Sequence, residues 1–118
     1  MEIQQLKRGT MEMVFLSLLE KSPLYGSEIM SILNRKGSSF FIGAKEGTVY
    51  PVLYRLEDAG LVQRIPEGRQ KKIFRITEKG SLQLRVMKER WAEYIREVDL
   101  LMALVPNDTD SNRGDGDQ

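Results

Sequence analysis

The sequence lacks both cysteine and histidine, and it has a single tryptophan among its 118 residues. Without thiols and imidazoles, the chain has no disulfide bond, no cysteine nucleophile and no zinc site of the usual ligand types. It also lacks any run of about 20 apolar residues, so we expect no membrane span. The N-terminus is polar and has no signal-peptide core, which favours a cytoplasmic protein.

The acidic residues show no pattern that is typical of an active site. Without histidine or cysteine, catalysis would depend on carboxylates or lysines, and the acidic side chains fall on predicted helix surfaces. Neither a glycine-rich phosphate loop nor a paired-acid spacing accompanies them. We therefore expect no enzymatic activity, no metal and no cofactor.

The net charge of +1 conceals an uneven distribution of charge along the chain. Aspartates are concentrated in the tail after Pro106, against a lone arginine at position 113: Asp108, Asp110, Asp115 and Asp117. The rest of the chain is therefore net basic. Because the tail has no apolar side chain to bury, residues 106–118 are predicted to be acidic and disordered.

Apolar residues at helical spacing predict three helices in the first half of the chain. The first helix is marked by residues three and four apart: Met11, Val14, Phe15, Leu18 and Leu19. The second is expected at about residues 25–36 and the third at about residues 46–59. Proline is poorly tolerated deep inside a helix, so Pro51 is expected in or near the first turn of the third helix.

A basic hairpin is predicted after the third helix. Two short β-type runs, at about residues 62–66 and 71–76, flank the turn sequence Pro66-Glu67-Gly68. The hairpin carries five cations, opposed only by the carboxylate of the turn: Arg64, Arg69, Lys71, Lys72 and Arg75. Such a surface either binds phosphates or is simply solvated.

The last predicted helix, residues 77–105, carries a seam that its own small domain cannot cover. Its apolar residues alternate in steps of three and four, which is a heptad register: Leu84, Met87, Trp91, Tyr94, Val98, Leu101 and Val105. A second copy of the chain is the natural partner for this seam. The sequence therefore predicts a homodimer.

The order of helix, helix, helix, hairpin and long helix is that of a winged helix-turn-helix with an added dimerisation helix. The predicted fold is mainly α with a small β-hairpin. We assign residues 1–76 to a winged-helix DNA-binding domain and residues 77–105 to the dimerisation helix. The acidic tail follows.

The third helix and the hairpin together predict a surface for double-stranded DNA. The N-terminal end of a recognition helix points at base edges, while a basic wing follows the phosphates. The candidate contacts come from both elements: Lys45, Thr48, Tyr50, Arg55, Arg69, Lys71 and Lys72. Tyr50 is as well explained by a packed ring with a locally bonded hydroxyl.

Three stretches resemble the PadR-like family of transcriptional regulators, in its short form. They are Leu24-Tyr25-Gly26 with Glu28-Ile29 at the second helix, residues 46–57 and 60–62 through the third helix, and, at the wing, Gly68-Arg69, Lys72, Phe74 and residues 76–80. The resemblance implies a two-fold dimer that binds a pseudo-palindromic operator, usually as a repressor. It further implies release of DNA on sensing a small, often aromatic compound.

Two questions stay open at this point. Trp91 lies in the middle of the predicted seam, where paired indoles would either stack on a flat effector or simply pack at the dimer interface. Winged helices also serve as protein-interaction modules without DNA, because a fold alone does not determine a function. The basic wing and the polar face around Thr48 favour DNA.

Overall fold

The computed structural model describes residues 3–37, 41–67 and 71–117, with the side chains of residues 10–104 in those ranges except that of Lys71. Four helices and three strands follow one another: α1 (Ile3–Lys21), β1 (Leu24–Tyr25), α2 (Gly26–Lys36), α3 (Glu46–Asp58), β2 (Val62–Glu67), β3 (Lys71–Ile76) and α4 (Glu78–Asp117). The predicted fold class, mainly α with a β-hairpin, is confirmed. Across these residues no helix is long and apolar enough to cross a membrane.

The sheet contains one strand more than the sequence predicted. Its strand order is β1-β3-β2, and both pairings are antiparallel. Phe74 of β3 lies opposite Leu24 on one side and Arg64 on the other. The two residues of β1 were missed because so short a segment becomes a strand only by pairing with β3, which local sequence does not reveal.

The core belongs to a compact unit that spans Met1–Arg85. Its buried side chains come from all four helices, from the hairpin and from the segment that leads into it: Met11, Phe15, Leu16, Leu19, Ile29, Leu33, Val49, Val52, Leu53, Leu56, Leu61, Val62, Phe74 and Leu84. Leu84 corrects one prediction. It was assigned to the dimer interface, but it is 1% exposed in the single chain and therefore belongs to this core.

The boundary between the units lies within α4 rather than before it. A second compact unit spans Val86–Gln118, whereas the sequence analysis placed the boundary after Ile76. The first two turns of α4 belong with the three preceding helices and the hairpin, because Gly80 packs against the carbonyl of Leu61 and Leu84 is buried. The heptad spacing continues through this point, so it gave no sign of the boundary.

Two prolines lie inside helices, and one of them corrects a prediction. Pro51 is early in the second turn of α3, near the first turn as predicted, whereas α4 continues past Pro106, where the predicted helix ended and the predicted disordered tail began. A proline removes one hydrogen bond and crowds the preceding turn, which makes a helix costly without forbidding it. Val105, predicted at the dimer interface, has a side chain outside the described ones.

Candidate nucleic-acid interface

The start of α3 is positioned by one asparagine on α2. The side-chain oxygen of Asn34 accepts the backbone N–H groups of Gly43 at 2.5 Å and Ala44 at 3.1 Å. Its amide nitrogen donates to the carbonyls of Ala44 at 3.1 Å and Met30 at 2.9 Å. Gly43 has a φ of 95°, which glycine adopts without strain. Asn34 therefore fixes the turn from which α3 begins.

The N-terminal end of α3 is open to solvent. Lys45 precedes the helix in an extended conformation and makes no side-chain cap hydrogen bond. Lys45 and Thr48, both predicted to contact DNA, are exposed there. The first N–H groups of any helix precede its hydrogen-bond ladder, and they favour a phosphate oxygen nearby. This end of α3 therefore has both the exposure and the polarity that a DNA contact needs.

The side chain of Tyr50 packs within the helix-turn-helix and is only partly exposed. Its ring covers Gly26 at the start of α2, where an added Cβ would lie 2.5 Å from the tyrosine hydroxyl. Its ring centroid is 5.9 Å from that of Tyr54 and 6.5 Å from that of Phe74. Burial raises the pKa of Tyr50, and the carboxylate of Glu46 adds to the effect. These contacts favour the packed alternative over base readout.

Arg55 is directed toward α1. Its Nε lies 3.3 Å from a carboxylate oxygen of Glu12, and both side chains are well exposed. Seven residues separate Arg55 from Thr48, which is about 10 Å along a helix axis. The structure therefore places Arg55 apart from the open end of α3.

Two of the cations on the hairpin are engaged within the protein. Arg64 donates two hydrogen bonds to Glu57 of α3, at 2.9 and 2.6 Å, and its guanidinium lies 5.3 Å from the centroid of the Tyr54 ring. The hydrogen bond with Glu57 raises the pKa of Arg64. Arg75 donates to the side-chain oxygen of Gln63 at 3.3 Å. Arg64 thus joins the wing to α3.

Lys72 is the predicted wing contact that faces α3. It is exposed, and it lines an open cleft of about 500 Å³ with four residues of α3: Glu46, Gly47, Tyr50 and Tyr54. Of the other two predicted wing contacts, Arg69 lies outside the described residues and Lys71 has a side chain outside the described ones. Lys72 and the open end of α3 together form the candidate DNA surface.

The C-terminal end of α3 is anchored to the start of α4. The ammonium of Lys79 donates to the carbonyl of Ala59 at 3.0 Å, and the hydroxyl of Thr77 donates to the carbonyl of Gly60 at 2.7 Å. The backbone N–H of Thr77 donates to the carbonyl of Leu61 at 3.0 Å. A shift at the start of α4 would therefore displace α3.

The second unit presents large apolar side chains to solvent. Among the described side chains of this unit, seven large apolar ones are more than 40% exposed: Val86, Trp91, Tyr94, Leu100, Leu101, Met102 and Leu104. Met87 and Val98, also predicted at the dimer interface, are half-buried. An exposed apolar surface of this extent is typical of an interface that lacks its partner.

A family model described as the transcriptional regulator PadR-like family matches residues 15–86. The chain belongs to this family. The match runs from α1 into α4, so it includes every predicted DNA contact. It stops where the second unit begins.

Individual proteins match this chain over most of their length. An uncharacterized protein from Lysinibacillus sphaericus is 35% identical over 100 residues, which cover 80% of this chain and 90% of that protein. A transcriptional regulator from Mycobacterium tuberculosis is 28% identical over 99 residues, covering 81% and 89%. The crystal structure of a PadR family regulator from Eggerthella lenta matches with a TM-score of 0.75 and 30% identity, covering 85% and 88%.

The comparisons confirm the resemblance noted from the sequence, and with it the winged-helix DNA-binding fold of a transcriptional regulator. The structure gives a physical role to residues in the motifs that carry the resemblance. Gly26 makes room for Tyr50, while Thr77, Lys79 and Gly80 form the joint between α3 and α4. Asn34 was not found from the sequence, because only the folded turn brings residues 43 and 44 to it.

Proposed function

We propose that this protein is a homodimeric repressor that binds a pseudo-palindromic operator in the cytoplasm. The observation that carries the proposal is the open end of α3 facing Lys72 across a cleft, in a chain of a DNA-binding family. In a winged helix the recognition helix enters the major groove and reads base edges. We assign that role to the exposed Lys45 and Thr48, and a phosphate contact to Lys72.

The proposed dimer is supported by the exposed apolar residues of the second unit. Trp91, Tyr94 and Leu101 lie on one heptad seam and are 42%, 62% and 52% exposed in the single chain. Pairing two such seams would remove this apolar surface from water. A two-fold dimer would then present its recognition helices to half-sites one helical turn apart, about 34 Å.

The binding experiment compares a duplex from the region upstream of the protein's own gene with a scrambled duplex, by fluorescence anisotropy across a salt series. We expect specific binding at least 10³-fold tighter than binding to the scrambled duplex, with a steep loss of affinity as salt rises. Sedimentation should show a dimer. Equal weak binding to both duplexes would contradict operator recognition, and no binding even at low salt would favour the protein-interaction alternative.

The effector is a separate part of the proposal. Trp91 is exposed on the seam, and it is the single tryptophan of the chain. A flat aromatic compound stacked on it would shift α4 and, through the joint at Thr77 and Lys79, the recognition helix. Such coupling is typically worth about 1–3 kcal/mol, a change of roughly 5- to 150-fold in operator affinity.

Quenching of Trp91 fluorescence by planar aromatic compounds tests this part directly. We expect a compound that quenches the indole to weaken operator binding in the same concentration range. Trp91→Ala should then abolish the response while the dimer persists. If the variant keeps both its dimer and its response to that compound, Trp91 is an interface residue and the sensor is elsewhere.

A further inference from the structure

Gly47 is a glycine for which the elements packed around α3 supply no steric reason. Apart from its chain neighbours and the backbone of α3 itself, a Cβ built at this position meets no atom of the described residues within 4 Å. Its backbone is helical, because it is the second residue of α3, and it is not among the described glycines with a positive φ. Glycine makes a helix less stable than alanine does. At a helical position with open space beside it, packing around α3 therefore does not explain why glycine is present.

At two other glycines of the same unit, neighbouring atoms of the fold leave no room for a side chain. At Gly26 a Cβ would lie 2.5 Å from the hydroxyl of Tyr50, and at Gly80 it would overlap the carbonyl oxygen of Leu61. Those positions are filled by neighbouring atoms of the fold. Gly47 differs in that the space beside it opens into the cleft that Lys72 lines from the opposite side.

We propose that Gly47 lacks a side chain because the sugar–phosphate backbone of the operator enters this cleft and passes over the first turn of α3. The inference rests on the function proposed above and adds a steric determinant to it. Lys72 supplies a cation and the helix N-terminus supplies N–H donors, which together suit a phosphate. The carboxylate of Glu46 lines the same cleft and would repel a free anion. A DNA strand is also held by contacts outside the cleft, so it can bind there despite this repulsion.

Pro51 offers the competing explanation within the fold. Its ring crowds the carbonyl four residues earlier, which is that of Gly47, and it has no N–H to donate there. A glycine at that position would relieve the crowding. The two explanations make opposite predictions for stability, because alanine should stabilise α3 if DNA is the reason and destabilise it if Pro51 is.

The experiment measures both unfolding and operator affinity for Gly47→Ala and Gly47→Met in the full-length chain. We expect both variants to be at least as stable as the wild type in urea. Gly47→Met should bind the operator about tenfold to hundredfold more weakly, the size of one lost charge-assisted contact, and Gly47→Ala should show a smaller loss. Gln83→Met places the same side chain at an exposed position of α4, outside the cleft and the joint, and should bind normally.

A double-mutant cycle with Lys72→Ala identifies the occupant of the cleft. If one DNA segment contacts both residues, the two losses are less than additive, because either change removes the same contact. Fully additive losses, normal binding by Gly47→Met, or lower stability of Gly47→Ala would each overturn the inference. A wild-type chain that binds no operator would instead overturn the proposed function and the inference with it.

Discussion

The two ends of the recognition helix are built in opposite ways. At the C-terminal end of α3 the carbonyls of Ala59 and Gly60 accept hydrogen bonds from Lys79 and Thr77, and Glu57 holds Arg64. At the N-terminal end, Lys45 and Thr48 are exposed and the helix has no side-chain cap. A helix that binds DNA has to be both accurately placed and accessible, and here these two requirements are met at different ends.

Gly80→Ala should produce the largest effect, because it breaks the anchored end. The added methyl would overlap the carbonyl oxygen of Leu61 and lie 2.7 Å from Cγ1 of Ile76, so the joint would have to open. We expect the free energy of unfolding to fall by about 3 kcal/mol, at the upper end for overpacking. Urea denaturation measures it.

The neighbouring substitution Ser81→Ala is the control, since it leaves the joint intact and should change stability by less than about 0.5 kcal/mol. A Gly80→Ala chain as stable as this control would show that the joint between α3 and α4 tolerates a side chain. It would also weaken the proposal that an effector acts on α3 through this joint.

Removing the ion pair between the wing and α3 should have the next largest effect. The side chains of Arg64 and Glu57 are 31% and 26% exposed, and the guanidinium also stacks on Tyr54. We expect Arg64→Met combined with Glu57→Gln to lower the free energy of unfolding by about 1–2 kcal/mol. Because the pair is neutral as a whole, the salt dependence of operator binding should not change.

Lys72→Met is the matched comparison, because it removes a cation from the open side of the wing. Its stability should be nearly that of the wild type, while the slope of log affinity against log salt should fall by about 0.9. If the paired variant loses slope and Lys72→Met does not, the assignment of the two cations is reversed.

Asn34→Ala should have a smaller effect on stability and a clear effect on recognition. It removes the side chain that holds residues 43 and 44, so the start of α3 would lose its fixed position. We expect a loss of about 1 kcal/mol in stability and a lower ratio of specific to non-specific affinity. Asn34→Asp keeps the acceptor for the two N–H groups and should lie between the wild type and Asn34→Ala.

The contacts of Asn34 and the burial of Leu84 could not be predicted from the sequence. Helical spacing and turn chemistry predicted α1, α2, α3 and the hairpin, because those patterns arise from burial within each element. Leu84 continues the heptad of α4 without a break, so spacing placed it at a dimer interface although it is buried in the core. The contacts of Asn34 depend on a turn whose shape no local pattern encodes.

The candidate DNA surface was predicted in outline and not in detail. The open end of α3 and the wing were predicted, because charge and chain order suffice for them. The sequence did not reveal that Tyr50 packs on Gly26 or that Arg64 is engaged by Glu57. Both depend on which side of an element a neighbouring element packs against.

Substitution of Arg55 should have the smallest effect on stability, and it tests whether Arg55 belongs to the anchored or the open end of α3. Its pair with Glu12 is exposed, and such pairs contribute about 0–1 kcal/mol, so neither Arg55→Gln nor Glu12→Gln should change stability much. If Arg55 belongs to the anchored end, Arg55→Gln leaves the salt slope of operator binding unchanged. If it contacts a phosphate, the slope falls by about 0.9, and Glu12→Gln tightens binding because it frees the guanidinium. The structure favours the first outcome, since the guanidinium is directed at α1 and away from the open end of α3.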